Sequence, residues 1–225
     1  MSGLNHSWEV TPREAVAIQR TLREQVRVEP LDLARVTLVG GADISANRFE
    51  RVVYAGVVVL ELASLRTVAQ AAVVTEATFP YVPGLLSFRE IPPLLLAWEK
   101  LATRPDVLLC DGQGLAHPRR LGLATHTGLA LDLPTVGCAK SRYVGDYDEP
   151  GPEPGDASPL RDGDEVIGSV LRTRRGSKPL FVSVGHRCTL SDAVDLVQRC
   201  SAGYRLPETT RRAHDLVNRM RRGEL

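Results

Sequence analysis

The sequence lacks a net charge of either sign. Its 225 residues include 28 Lys and Arg against 27 Asp and Glu, which gives a formal charge of +1. This balance excludes a polybasic binder of the histone kind and an acidic disordered chain. Taken alone, it gives no reason to expect a nucleic acid as the partner.

The sequence also lacks a long apolar run, a secretory leader and paired cysteines. Arg51, Glu61 and Arg66 bracket the longest apolar candidate, so no stretch approaches the roughly 18 apolar residues of a membrane span. Residues 1–10 are polar and mixed, without the basic and apolar parts of a leader. The cysteines form no C-x-x-C pair, so we expect buried, reduced thiols rather than a zinc site. These absences predict a cytoplasmic protein without membrane contact.

Hydrophobic periodicity and length predict one α/β domain over residues 1–225, with a mixed sheet. Strands rich in β-branched residues alternate later with helical segments. We expect a helix opened by Thr11 and Pro12, strands over 35–44, 51–62 and 66–76 in an antiparallel meander, a helix over 91–102, strands over 106–111 and 133–138, a hairpin of 165–172 with 179–184, a helix capped by Ser191, and a last helix from Pro207. Residues 145–165, rich in glycine, proline and acids, predict an exposed loop.

Two apolar strands run directly into a carboxylate, at Asp43 and at Asp111. If the strands are neighbours, both acids emerge at the same edge of the sheet. Hard divalent cations prefer such oxygen ligands. The alternative is that each aspartate simply starts a turn, but two of them beside glycines favour a functional pair.

Glu90 has two competing interpretations. Residues Ser87 to Glu90 read S-x-x-E, which is typical of a capping box. Pro92 and Pro93 argue against a helix that begins at Ser87, because neither can donate a backbone hydrogen bond. A helix that begins nearer Ile91 leaves Glu90 free as a ligand or base. The residues alone leave both interpretations open.

The segment 111–116, DGQGLA, resembles the opening of a dinucleotide loop, but His117 stands at the third glycine position. Gly112 and Gly114 instead favour close approach of the backbone to a flat ligand. A cationic cluster surrounds these glycines and either holds phosphates or forms a solvated loop: His117, Arg119, Arg120, His126, Lys140 and Arg142.

Residues 80–84, PYVPG, form a stiff turn with an aromatic tip. Such a turn either wedges into stacked bases or merely connects a strand to a helix. His214 lies in the last helix, where an exposed histidine is the ordinary expectation. A nucleophile elbow, a Walker loop and an H-E-x-x-H motif are all absent from the sequence.

Taken together, these segments resemble the endonuclease V family of deoxyinosine-directed repair nucleases. The matching segments stand in family order: GGADIS at 40–45, FPYVPGLLSFRE at 79–90, CDGQGLAHPRRLGLATHTG at 110–128, PTVGCAKSR at 134–142 and PLFVSVGHR at 179–187. The resemblance implies an RNase H-like fold, a mixed central β-sheet flanked by helices. It implies Mg²⁺ as the cofactor, with Mn²⁺ as a substitute.

The resemblance also assigns the site residues. The implied catalytic groups are Asp43, Glu90, Asp111 and His214, with Asp43 and Asp111 as metal ligands; the implied DNA wedge is Pro80, Tyr81, Val82 and Pro83; the implied base pocket is Leu86, Gly112, Gly114 and Gly137; the implied phosphate ligands are His117, Arg119 and Lys140.

The implied activity is hydrolysis of the second phosphodiester bond 3′ to deoxyinosine, which leaves 3′-hydroxyl and 5′-phosphate ends. The expected partner is inosine-containing DNA, with no obligate protein partner. A ribonuclease acting on inosine-containing RNA and a non-catalytic lesion-binding module stay open as alternatives. The non-catalytic module is disfavoured, because Asp43, Glu90 and Asp111 are all present.

The near-zero charge is an average over unequal parts. Residues 145–165 hold eight acids and one base, so the remainder carries 27 basic against 19 acidic residues. We therefore expect a basic working surface outside this segment, with binding that weakens as salt rises.

Overall fold

The computed structural model describes residues 4, 6–48 and 50–225. Its strands are β1 (Leu38–Ala46), β2 (Val52–Glu61), β3 (Thr67–Glu76), β4 (Val107–Cys110), β5 (Thr135–Ala139), β6 (Ala157–Asp162), β7 (Glu165–Leu171) and β8 (Leu180–His186). Its helices are α1 (Pro12–Leu22), α2 (Leu86–Glu99), α3 (Leu123–Leu131), α4 (Leu190–Arg199) and α5 (Glu208–Arg221), and a 3-10 turn spans Arg23–Gln25.

The eight strands form one mixed sheet in the order β3-β2-β1-β4-β5-β8-β7-β6. Strands β1, β2 and β3 pair antiparallel, which confirms the predicted meander. Strands β1, β4 and β5 pair in parallel, and the late hairpin of β7 with β8 is also confirmed. The predicted mixed α/β sheet is therefore present.

Helices cover both faces of this sheet. One apolar core lies between the sheet and the pair α4 and α5, and a second lies between the sheet and the pair α2 and α3. Strand β2 serves both, since Val58 and Leu60 belong to the first core, and Val57 and Val59 belong to the second. This alternation fixes which face each helix occupies.

Two glycines let α5 lie close to the sheet. A Cβ on Gly41 would stand 2.1 Å from the Thr209 carbonyl oxygen, and one on Gly56 would stand 2.8 Å from Val217 Cγ1. Real side chains do not tolerate such distances, so glycine is required for this approach. The close packing brings the middle of α5 over the end of β1.

The start of α2 differs from both sequence-based alternatives. Helix α2 begins at Leu86, neither at Ser87 nor near Ile91, and it contains both prolines. Its fully buried side chains, among them Phe88, offset the two backbone hydrogen bonds that the prolines cannot make.

The fourth helix and the acidic segment differ from prediction as well. Thr189 caps α4 in a capping box with Asp192, so Ser191 is not the cap. The segment 145–165 contains β6 and is therefore not wholly a loop, because Leu160 is fully buried and anchors that strand.

The cysteines are buried free thiols, as predicted: Cys110, Cys138, Cys188 and Cys200. Burial raises the pKa of the Cys110 thiol to about 12, which makes it a poor nucleophile. Within residues 4, 6–48 and 50–225, no helix combines the length and apolar character needed to cross a bilayer.

Candidate active site

Asp43 and Asp111 lie side by side at one edge of the sheet. Strands β1 and β4 run in parallel with Ala42 opposite Cys110, and the next residue after each of these is an aspartate. Asp111 follows the end of β4 as predicted, whereas β1 continues past Asp43 to Ala46, because β2 pairs with it over its whole length. Their side chains are only 10% and 13% exposed. The structure thus brings together the two acids that the strand-then-acid pattern singles out.

Glu90 reaches the same edge from α2. Burial and, to a smaller extent, the negative charges of Asp43 and Asp111 raise its pKa to about 8, against the lowering effect of Arg89. Three carboxyl groups therefore share a site with little water. The helix that carries Glu90 differs from prediction, but its carboxyl group does join the two aspartates.

The pKa of Asp43 is raised for the same reasons. Burial raises the pKa of its carboxyl group, and the neighbouring charge of Asp111 adds to this. The hydrogen bond from His214 acts in the opposite direction. The site therefore stores negative charge that an added cation would neutralise.

Two side chains already meet this charge in part. Lys140 Nζ forms a salt bridge with Asp111 Oδ2. His214 Nδ1 lies 2.8 Å from Asp43 Oδ2. The close packing of α5 on β1 is what places His214 there.

A short hydrogen-bond chain orients His214. Ser45 Oγ donates to Asn218 Oδ1 at 3.2 Å, and Asn218 Nδ2 lies 3.0 Å from His214 Nε2. With the amide donating to Nε2, the ring proton stands on Nδ1 and points at Asp43. Sequence reasoning missed Asn218, although its spacing of four residues from His214 on one helix places both on the same face.

A cavity of about 460 Å³ opens beside the acids. Its walls include Tyr81, Leu86, Glu90, Asp111 and Gly112. This volume lies in the range typical of small-molecule pockets. Of the predicted base-pocket residues, Leu86 and Gly112 line it.

Gly114 and Gly137 lie behind this cavity instead of lining it. A Cβ on Gly114 would stand 2.0 Å from the Val184 carbonyl oxygen, and one on Gly137 would stand 2.4 Å from the Gly114 backbone nitrogen. These glycines let the 111–116 loop pack against β5 and β8. Their contribution to the cavity is to position its wall.

The 80–84 turn is held from below by three side chains. Gln19 Nε2, His117 Nε2 and Arg119 Nη2 lie 3.0, 3.1 and 2.8 Å from the Gly84 carbonyl oxygen. Gly84 has φ +80°, a conformation that favours glycine. Tyr81 at the tip is 40% exposed and lines the cavity, whereas the turn's base is fixed.

Two of the three predicted phosphate ligands, His117 and Arg119, are engaged in these contacts. Burial lowers the pKa of His117 to about 4, so the imidazole is neutral at physiological pH. Arg119 Nε also contacts Gln19 Oε1 at 2.5 Å. Both residues are engaged in supporting the turn, and of the three predicted ligands Lys140 lies nearest the acids.

The rest of the cationic cluster is engaged elsewhere. Arg120 pairs with Asp162 and Glu165 at 2.8 and 2.7 Å. His126 is fully buried, and its Nδ1 lies 3.0 Å from Ser87 Oγ. The sequence grouped these residues by proximity along the chain, but the fold gives each a separate partner.

The donor set fits a hard divalent cation. The oxygens of Asp43, Glu90 and Asp111 are of the type that Mg²⁺ prefers. Burial, together with the neighbouring carboxylate charges, raises the pKa of Asp43 and of Glu90, so a cation would relieve an unfavourable concentration of negative charge there. In the part of the chain that the structure describes, no three His, Cys, Asp or Glu side chains are already arranged around an ion position. Lys140 contacts Asp111 Oδ2, and His214 contacts Asp43 Oδ2.

Comparison with known proteins places this site in a family. A family profile described as endonuclease V matches residues 20–215. An endonuclease V of Myxococcus xanthus is 49% identical over 217 residues, which are 96% of this chain and 92% of the relative. The RNase H-like fold predicted from the sequence is shared by the solved structures of this family.

Two of those structures are informative. The endonuclease V of Streptomyces avermitilis superposes with a TM-score of 0.92 at 44% identity, covering 98% of this chain and 97% of that one. The endonuclease V of Ciona intestinalis, solved with a 24mer DNA containing an inosine followed by a ribo-adenosine, superposes with a TM-score of 0.83 at 28% identity, covering 95% and 98%.

Proposed function

The chain belongs to the endonuclease V family of DNA repair endonucleases, and we propose that it recognises deoxyinosine and hydrolyses the second phosphodiester bond 3′ to it. The products would carry 3′-hydroxyl and 5′-phosphate ends, with the base retained. The observation that carries the proposal is the meeting of Asp43, Glu90 and Asp111 beside a cavity of about 460 Å³ that Glu90 and Asp111 help to line.

We infer that Asp43 and Asp111 hold Mg²⁺, and that Glu90 completes the acidic cluster. A bound divalent cation supplies Lewis-acid stabilisation of the charge that develops on the phosphate. His214 holds the Asp43 carboxylate in place through its Nδ1. Lys140 brings a positive charge to the same edge, where a phosphate of the scissile strand would lie. Mn²⁺ is expected to substitute.

The cavity beside the acids is the proposed pocket for the flipped base. Leu86 and Gly112 give it an apolar wall and an open approach for a flat ring. Tyr81, at the exposed tip of its fixed turn, is the proposed wedge that fills the gap left in the stack. Flipping costs a few kcal/mol and less for a mispaired base, which itself favours the lesion.

A nicking assay tests this proposal. The substrate is a duplex with one deoxyinosine, incubated with Mg²⁺ or with EDTA. We expect a nick at the second bond 3′ to the lesion, in Mg²⁺ only, and its loss in Asp43→Asn. Asp146→Asn, which changes a carboxylate that is 98% exposed, is the matched control and should cut normally. Cleavage by Asp43→Asn at the wild-type rate would overturn the assignment of the acids.

Inosine-containing RNA is the alternative substrate, and the Ciona complex itself carries a ribonucleotide after the inosine. A parallel single-stranded RNA with one inosine separates the two. Much faster cutting of this RNA than of the DNA duplex would replace the first proposal with the second. Lesion binding without any cleavage would support a non-catalytic module. A cytoplasmic location and the absence of an obligate protein partner stay predictions from the sequence.

A further inference from the structure

Tyr81 stands between two cavities. One is the cavity beside the acids, and the other, of about 540 Å³, shares only Tyr81 with it and is lined by residues of the connection between β1 and β2 and by residues 77–80. We call this second space the rear cavity. Its walls include Arg48, Arg51 and Arg89, together with Glu50 and Tyr81. The proposed function makes no use of it.

Arg48 lies directly against the proposed wedge. Its guanidinium carbon is 4.9 Å from the centroid of the Tyr81 ring, within the range of a cation–π contact. Both side chains are exposed. A guanidinium is a planar group whose N–H donors match the geometry of a phosphate.

Arg89 forms the rigid floor of the rear cavity. It is 5% exposed and donates from Nη1 to the Phe79 carbonyl oxygen at 2.8 Å. From Nη2 it donates to the Glu50 carbonyl oxygen. One buried cation therefore ties the base of the wedge turn to the β1–β2 connection, so Arg48 and Tyr81 keep a defined relation.

The charge around the rear cavity is cationic on balance. Three guanidinium groups line it against the carboxylate of Glu50, and Arg51 lies 3.5 Å from Glu76, with both side chains largely exposed. An exposed pair of this kind is weak and exchanges readily with another anion. The chemistry of the site suits a phosphate group.

We propose that the rear cavity binds a backbone phosphate of the strand opposite the lesion, with Arg48 as the main contact. The inference rests on the proposed function. If the flipped base enters the cavity beside the acids, the lesion strand lies on that side of Tyr81. A wedge in a duplex stands between two strands, so its other side faces the complementary strand. Phosphate contacts position a protein on DNA without reading sequence.

The test compares duplex and single-stranded oligonucleotides, each with and without one inosine. Affinities are measured by fluorescence anisotropy in EDTA, so that no cleavage occurs, over a series of salt concentrations. For Arg48→Ala we expect the affinity for the inosine duplex to fall about tenfold. The slope of log affinity against log salt should fall by about one, while the single-strand affinity changes less than about twofold.

Two further variants control the experiment. Arg48→Lys keeps the charge and should retain most of the salt slope. Arg104→Ala removes an exposed guanidinium that lies 4.7 Å from the Trp98 ring, between α2 and β4 at the opposite end of the sheet, and should change neither affinity. Like Arg48, Arg104 is an exposed arginine stacked on an aromatic ring, but its ring is not part of the proposed wedge.

The outcomes separate the two proposals. Equal losses on duplex and single strand in Arg48→Ala, or no loss on the duplex, would overturn the rear cavity as a complementary-strand site. A wild-type protein that does not prefer inosine over adenine would instead contradict the proposed function. In either case, the ratio of the Arg48→Ala protein's affinity for the duplex to its affinity for the single strand decides whether the rear cavity binds the complementary strand.

Discussion

Two acidic regions of this molecule differ in how their charges are met. In the segment 145–165, carboxylates lie at the surface and face arginines: Asp146 with Arg142, Glu149 with Arg172, Glu153 with Arg175, and Asp162 and Glu165 with Arg120. At the edge of the sheet, three carboxyl groups lie together away from water, in contact with one lysine and one histidine. Burial combined with unmet charge, more than the number of acids, marks the site suited to a cation.

The comparison also corrects the charge argument from the sequence. The arginines opposite the acidic segment are engaged in ion pairs, Arg120 and Arg172 with side chains only 15% and 10% exposed. The basic excess outside residues 145–165 is therefore not all free working surface. The cations that stand beside the proposed DNA path are Lys140 and the arginines of the rear cavity.

The largest contrast is expected in catalysis. Asp111→Asn removes one charge from the buried cluster and should lower the cleavage rate on the order of a thousandfold. Asp162→Asn removes one charge from the surface segment and should leave the rate within about twofold. Single-turnover nicking of the deoxyinosine duplex measures both. A comparable loss in the two variants would erase the distinction between the regions.

Removal of a cation should likewise lower the cleavage rate at the buried cluster and leave it unchanged at the surface segment. Lys140→Met leaves Asp111 without its salt-bridge partner and removes a positive charge from the proposed phosphate path, so cleavage should fall about a hundredfold. Arg175→Met breaks an exposed pair with Glu153 and should not affect cleavage. Equal rates for Lys140→Met and the wild type would show that this lysine has no role in the reaction.

A change beside the cluster that leaves its charges intact sharpens the comparison. Tyr81→Ala should lower the preference for inosine over undamaged DNA about tenfold, because the gap in the stack is no longer filled. Its dependence on Mg²⁺ concentration should match the wild type, since no carboxylate has changed. Unchanged selectivity would rule out the wedge, and a shifted Mg²⁺ dependence would link the turn to the metal site.

The smallest expected effect is on stability, and its sign differs between the regions. The folded state raises the pKa of Glu90 to about 8 from 4.5, so the folded protein binds a proton that the unfolded chain has lost between those pH values. Its contribution to the free energy of unfolding therefore falls as pH rises from 4.5 to 8. Metal-free Glu90→Gln should be more stable than the wild type at pH 8, and this advantage should shrink at pH 5.

Substitution of a surface carboxylate should change the free energy of unfolding in the opposite direction. Glu149→Gln weakens the ion pair between this exposed carboxylate and the largely buried Arg172, and should destabilise the fold by less than about 1 kcal/mol. Urea unfolding in EDTA at pH 5 and pH 8 measures both variants. A Glu90→Gln protein less stable than the wild type at pH 8 would contradict the uncompensated charge of the cluster.

The sequence predicts the acidic edge of the sheet on one condition. Two strands that each run into an aspartate place Asp43 and Asp111 together if the strands are neighbours, and the structure meets this condition because β1 and β4 pair in parallel. The antiparallel meander follows from local patterns of β-branched residues and short connections. The resemblance to a family adds the residues that arrive from distant helices, such as His214.

Other features depend on tertiary packing that no local pattern reports. Two prolines inside α2 argue locally against a helix that extends back to Leu86, yet burial of its apolar face overrides them. Strand β6 contains a proline and charged residues, and pairing with β7 is what makes it a strand. The role of His117 as a neutral support of the 80–84 turn could not be predicted, because it depends on the position of the Gly84 carbonyl oxygen in space.

The most direct test of the central claim is metal binding itself. Electron paramagnetic resonance of free Mn²⁺ counts the ions that the protein removes from solution. The double variant Asp43→Asn with Asp111→Asn should lose this binding, whereas Asp146→Asn with Asp162→Asn should bind Mn²⁺ as the wild type does. Binding that persists in the first double variant, or disappears in the second, would contradict the assignment of the cation to the buried carboxylates.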